Sequence, residues 1–126
     1  MIRLSMLLFA TLTLVQAEVY ELRTYTTHPG RLEALHARFR NHTLKLFQKH
    51  GMKSVIYFVP TDEPRKSNTL VYLLEHKSQA AAEASWKAFR ADPAWVKVKT
   101  ESEAAGPIVE KVDSVFLETT PYSPRK

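Results

Sequence analysis

Glu21, Arg23 and Tyr25 stand two residues apart in Val19-Tyr20-Glu21-Leu22-Arg23-Thr24-Tyr25, a β-branched and aromatic run ending at the turn signal His28-Pro29-Gly30. Successive side chains of a strand point to opposite faces, so an acid, a guanidinium and a phenol line up on one side of a sheet. Covered, such a row is a polar floor for a ligand; uncovered, it is a solvated surface. Glu21 and Arg23 read equally as recognising a polar ligand and as a cross-strand ion pair that stabilises a dimer. Tyr25 reads as a hydrogen-bond donor to a ligand or as a packing residue. His42 falls among the apolar positions of the next helix, as a core histidine bonded to a neighbour or as a polar group reaching a pocket. Tyr57 and Tyr72 are strand phenols that line the same cavity if their register places them there. Trp86, with Phe89 and Trp95, reads as core before it reads as a cofactor box.

Other chemistries lack their residues. Three glycines, Gly30, Gly51 and Gly106, cannot build a phosphate-cradling loop. There is no Gly-x-Ser-x-Gly elbow, no His-Glu-x-x-His and no cysteine. His36, His42 and His50 lie about 9 and 12 Å apart along one helix, too far to share an ion whose ligands sit within about 2–2.6 Å. No metal and no cofactor is therefore assigned, and a haem would need an axial histidine facing the cavity.

The elements that must position these residues follow from periodicity. From Arg31 to His50, Leu32, Leu35, Phe39 and Leu46 mark an amphipathic helix with His42 in its one gap, closed by Gly51. Arg31, Arg38, Lys45 and Lys49 form a basic stripe along its edge, read as a solvated flank. Lys53–Val59 and Thr69–His76 are strands separated by a polar loop, and the second is central because Leu70-Val71-Tyr72-Leu73-Leu74 is continuously apolar. Ser78 caps a second helix, which Asp92-Pro93 breaks and restarts. Ile108–Thr119 is the last strand. The order β-α-β-β-α-β predicts an α+β, ferredoxin-like domain, a four-stranded antiparallel sheet with helices on one face. Its other face, expected to carry Glu21, Arg23 and Tyr25 among apolar side chains, needs a cover. A second copy supplies one, making a homodimer whose paired sheets enclose a cavity.

The front end differs in character. Arg3 precedes an apolar run from Leu4 to Val15, and Val15-Gln16-Ala17 places small residues at −3 and −1. This is the pattern of a secretory signal peptide over residues 1–17, cleaved after Ala17, and the run is short for a bilayer span of about 20 residues. The expected product is a periplasmic or secreted domain of residues 18–126 with no stable membrane span. Lacking cysteine, it relies on its core rather than on disulfides. The net charge is +5 with a pI near 9.6, but acids are mixed among the cations and no aromatic-basic stacking cluster appears, so nucleic acid is not an expected partner.

Several fragments then agree with one family. Tyr20-Glu21-Leu22-Arg23-Thr24-Tyr25 before Pro29-Gly30, and Phe39-Arg40-Asn41-His42-Thr43 leading to Lys49-His50-Gly51-Met52, resemble a NIPSNAP-family domain. So do Asn68-Thr69-Leu70-Val71-Tyr72, the stretch from Ser85 to Trp95, and the closing Tyr122-Ser123-Pro124. The resemblance implies a dimeric α/β-barrel, of the broad architecture of small antibiotic-biosynthesis monooxygenases and chlorite-dismutase-like proteins. It implies little about activity. The mitochondrial and vesicular roles linked to animal members do not transfer to a single-copy chain with a secretory-type leader.

Three readings result. One is a homodimer that binds a small ligand between its paired sheets through Glu21, Arg23, Tyr25, His42, Tyr57, Tyr72 and Trp86. Another is a cofactor-independent monooxygenase or isomerase, with Arg23, Tyr25 or His42 stabilising a developing enolate. The third is a structural or adaptor protein with a vestigial cavity. The residues do not decide whether the protein is an enzyme.

Overall fold

The computed structural model describes residues 7–10 and 18–125. Strand β1 (Val19–Thr27) is followed by helix α1 (Leu32–Arg38), a π-turn over Phe39–Thr43, and helix α2 (Leu44–Lys49). Then come β2 (Lys53–Phe58), β3 (Thr69–His76), α3 (Gln79–Ala91), α4 (Pro93–Ser102) and β4 (Val109–Leu117). The sheet is antiparallel, in the order β2-β3-β1-β4. This is the expected ferredoxin-like α+β fold, with β1 and β3 central. Ser78 Oγ accepts from the Ala81 N–H, and Asp92 Oδ1 accepts from the Ala94 N–H with Pro93 opening α4, so both anticipated caps form. No described helix is long and apolar enough to cross a membrane. The cleavage site after Ala17 and most of the apolar run before it lie outside the described residues.

Register decides what faces the helices. Arg23 pairs with Tyr72, Glu21 with Leu74 and Tyr25 with Leu70 on one side, and with Ser114, Phe116 and Val112 on the other. Glu21, Tyr25, Leu70, Tyr72 and Leu74 are buried, and they pack with Leu35, Phe39, Phe47, Trp86 and Phe89 of the helical layer. The expected polarity of β1 is therefore reversed. Glu21, Arg23 and Tyr25 lie under the helices, within one chain, and not on the bare face where a cavity between paired sheets would meet them. The bare face instead carries Leu22, Val71 and Leu73, with exposed Ile56, Phe58, Val115 and Leu117 around them. An acid is tolerated in the covered layer because Glu21 finds a donor for each of its lone pairs there.

The first helix corrects two further expectations. Buried positions run Leu35, Phe39, Thr43, Phe47, four apart throughout. A regular helix would bring position 42 and then 46 back to the core. The π-turn absorbs one extra residue: the Leu44 N–H reaches the Phe39 carbonyl, and Thr43 Oγ1 donates to the Arg38 carbonyl at 3.2 Å. His42 is thereby turned out to solvent and is no core histidine. Arg38, read as part of a solvated stripe, is instead buried, at 6% exposure.

Candidate functional site

The site is built on β1. Glu21 accepts four hydrogen bonds: from His76 Nε2 (2.9 Å) and Trp86 Nε1 (2.7 Å) on Oε1, and from Arg23 Nη1 (2.8 Å) and Ser114 Oγ (2.7 Å) on Oε2. One carboxylate thus ties β1 to β3, α3 and β4. Burial pushes its pKa up, but the donors, His76 and Trp86 foremost, outweigh that and bring it down to about 2. With its lone pairs occupied, Glu21 is an anchor and has none left for a ligand.

The anchor fixes Trp86, whose ring lies 4.0 Å from the Arg23 guanidinium carbon. Arg23 turns its other two nitrogens to phenols. Nε reaches Tyr72 Oη at 3.0 Å, and Nε and Nη2 reach Tyr25 Oη at 3.3 and 3.2 Å. Tyr72 in turn donates its hydroxyl to Tyr25 at 2.7 Å. Burial, and then the neighbouring Tyr25, push the Tyr72 pKa well up, so Tyr72 stays a neutral donor. Burial works against the charge of Arg23, yet Tyr25, Tyr72 and Glu21 keep it firmly protonated. The oxygen of Tyr25 is therefore saturated by donors from both neighbours, and its own O–H proton is left for whatever lies above it.

Beside Tyr25 is a cleft of two neighbouring parts, of about 260 and 480 Å³. Tyr25, Phe89, Trp95 and Lys99 line both. The smaller part reaches Arg38, Thr43 and Glu103, and the larger reaches Arg23, Trp86, Arg90 and Thr100. Its walls are aromatic, with Phe89 and Trp95 4.6 Å apart between ring centroids. Its charged lining is mainly cationic: Arg23, Arg38, Arg90 and Lys99 against Glu103 and Glu110. Among the described residues no group of three or more His, Asp or Glu is placed to hold a metal ion.

Of the residues singled out in the sequence, Glu21, Arg23, Tyr25, Tyr72 and Trp86 form one hydrogen-bonded unit. Tyr72 is its fully buried floor rather than a cavity wall. Tyr57 stacks on Tyr72 at 5.0 Å but opens on the far side, into a groove of about 370 Å³ with His36 and Leu44. His42 lines an outer groove between α1 and α4, which Arg38 and Ser102 also border and Tyr25 does not. Sequence reasoning missed Arg38, Thr43, His76, Lys99 and Ser114 as site residues. Alternation along β3 and β4 would have found His76 and Ser114 once β1 was paired, and helical spacing from Leu35 would have found Arg38, but Thr43 depends on the π-turn.

Comparison with known proteins comes down on the same fold. The NIPSNAP family model matches residues 20–124. A NIPSNAP-like domain protein from Burkholderia xenovorans superposes with a TM-score of 0.72 at 16% identity, over 86% of this chain and 90% of that one. A NIPSNAP family protein from Agrobacterium tumefaciens gives 0.74 at 16% identity, over 86% and 99%. SnoaB, a cofactor-independent oxygenase from Streptomyces nogalater, gives 0.56 at 16% identity, over 86% and 99%. No curated protein matches the sequence.

Proposed function

The chain belongs to the NIPSNAP family, and from that premise and the shape of its cleft we propose that it is an exported homodimer that binds a small organic ligand between its helices and its sheet. The observation that carries the binding reading is the state of Tyr25. Its oxygen accepts from Arg23 and Tyr72, and Tyr25 lines a cleft walled by Phe89 and Trp95. A buried polar group with one unspent donor above a rigid network is suited to orient a ligand oxygen, while the aromatic walls hold an apolar body. Support for the homodimer is the bare sheet face, with Ile56, Phe58, Val115 and Leu117 between 41% and 49% exposed on one side. Support for export is the leader-like composition up to Ala17.

The test is native mass spectrometry of the protein purified from the export compartment of its own host. The expected result is a dimer that begins at Glu18 and carries one small-molecule mass per chain. In Tyr25→Phe the added mass falls away or exchanges roughly two- to tenfold faster, as loss of one neutral hydrogen bond dictates. A monomer that begins at Met1 and carries no added mass would refute the reading in all its parts.

A catalytic reading rests on the same proton. Tyr25 is poised to donate to an oxygen on which charge develops, the task a cofactor-independent oxygenase or isomerase sets for its enolate. The distinction from binding is kinetic. In the catalytic reading Tyr25→Phe lowers kcat more than it raises KM, whereas in pure binding no turnover of the captured ligand is seen.

A further inference from the structure

We propose that the ligand of the cleft is an organic anion with a flat apolar body, and that its negative group is received by the guanidinium of Arg38 with the Lys99 ammonium beside it. This deepens the binding reading above and rests on it.

The argument is the contrast between two buried arginines. Arg23 uses all three of its nitrogens on Glu21, Tyr25 and Tyr72. Arg38, with its side chain 5% exposed, is left wanting. Its Nε is buried with no hydrogen-bond partner. Nη1 reaches Ser102 Oγ at 3.3 Å, and Glu103 Oε1 stands off at 3.6 Å. Burial pushes the Arg38 pKa down, and Glu103 only partly opposes that. A guanidinium taken out of water without a full set of acceptors is destabilising, and a planar anion of matching geometry is the group that completes it.

Its place is as telling as its deficit. Arg38 ends α1 where the π-turn begins, and Thr43, bonded to the Arg38 carbonyl across that turn, lines the same cavity. Lys99 borders both parts of the cleft. Trp95 lies 5.2 Å from the Arg38 guanidinium carbon and Phe89 packs on Trp95, so the site offers an aromatic wall directly beside the charge. Glu103 and Glu110 also border this part, and a ligand carboxylate would take up the fork that Glu103 only approaches.

The probes are phenylacetate and its neutral, near-isosteric amide, phenylacetamide, titrated into the full mature protein and followed by tryptophan fluorescence. Both tryptophans of the chain, Trp86 and Trp95, line the cleft. The expected result is that phenylacetate binds roughly ten- to a hundredfold more tightly, the range of one charge-assisted hydrogen bond, and that Arg38→Gln abolishes the difference. Lys99→Gln should weaken phenylacetate about two- to fivefold and leave phenylacetamide unchanged. The Arg38 Nε–H resonance, assigned through bonds in the wild-type protein, should move with phenylacetate and not with phenylacetamide. This readout stands even if Arg38→Gln does not fold. Equal binding of the two probes, or an unmoved Arg38 resonance while phenylacetate binds, overturns the anion assignment and leaves the cleft a neutral binding site. Binding of neither probe overturns the assignment together with the binding reading beneath it.

Discussion

Replacing Glu21 by Gln tests the anchor on which the site depends. Its carboxylate is 1% exposed and holds donors from four elements of the chain. Gln keeps the shape but turns one acceptor into a donor, which then meets either the Trp86–His76 pair or the Arg23–Ser114 pair head-on. The pKa of Glu21 falls from 4.5 to about 2 in the folded chain, which corresponds to roughly 3 kcal/mol of stability. A lowered folded pKa means that this stability is complete above the unfolded value and lost as pH drops towards the folded one. The wild-type advantage should therefore be full at about pH 7, near half by about pH 3, and gone below about pH 2. Urea denaturation measures it. At neutral pH the midpoint of Glu21→Gln should lie roughly 1–2 M below wild type, and the gap should close across that acid window. A gap under about 0.5 kcal/mol at neutral pH, typical of an inert surface change, refutes the anchoring role. A gap that does not change with pH refutes its electrostatic origin.

Leu73→Glu places a charge at the centre of the bare sheet face and should convert a dimer to a monomer in sedimentation velocity, with the far-UV spectrum unchanged. Asp92→Ala removes the cap of α4 and the partner of Lys49 Nζ (2.7 Å) and His50 Nε2 (2.8 Å); thermal denaturation should fall by about 4–8 °C, as expected for one lost cap in a domain of this size. Lys49 first, and then His50 and the Ala94 N–H, hold the Asp92 pKa down, so this deficit too should shrink as the pH falls below the ordinary carboxylate range. His42→Ala, on the outer groove, should leave phenylacetate affinity within twofold of wild type in the same fluorescence titration.

Element order, both helix caps and the central place of β3 were legible because each rests on a local signal: alternation, an Asp-Pro break, a Ser before an alanine run. The faces of β1 were not. Alternation sorts Tyr20, Leu22 and Thr24 from Glu21, Arg23 and Tyr25, but it does not say which set the helices cover. The intuition that charges face outward failed because the partners of Glu21 are His76, Trp86 and Ser114, residues that only the fold brings near. Arg38, which lies before the π-turn and one helical turn from buried Leu35, was misplaced because a charge was assumed to face solvent. His42 was misplaced because the periodicity assumed 3.6 residues per turn, and the π-turn at Phe39–Thr43 shifts every later position by one.

That turn bears on why the site is where it is. A regular helix through this segment would close its backbone hydrogen bonds more simply and would bring His42 to the core. The helix instead buries Thr43, and the Arg38 guanidinium stands under-bonded beside Trp95, lining the same cleft as a tyrosine whose oxygen is over-supplied with donors. A chain selected for stability alone gains nothing from either feature, since a buried cation short of acceptors is a liability that an apolar residue of similar volume removes. Glu21 and Arg23 show that this sequence satisfies buried charges where nothing else is asked of them. The unpartnered Arg38 guanidinium and the donor-rich Tyr25 border one cleft, and that shared border is what the proposed ligand would use.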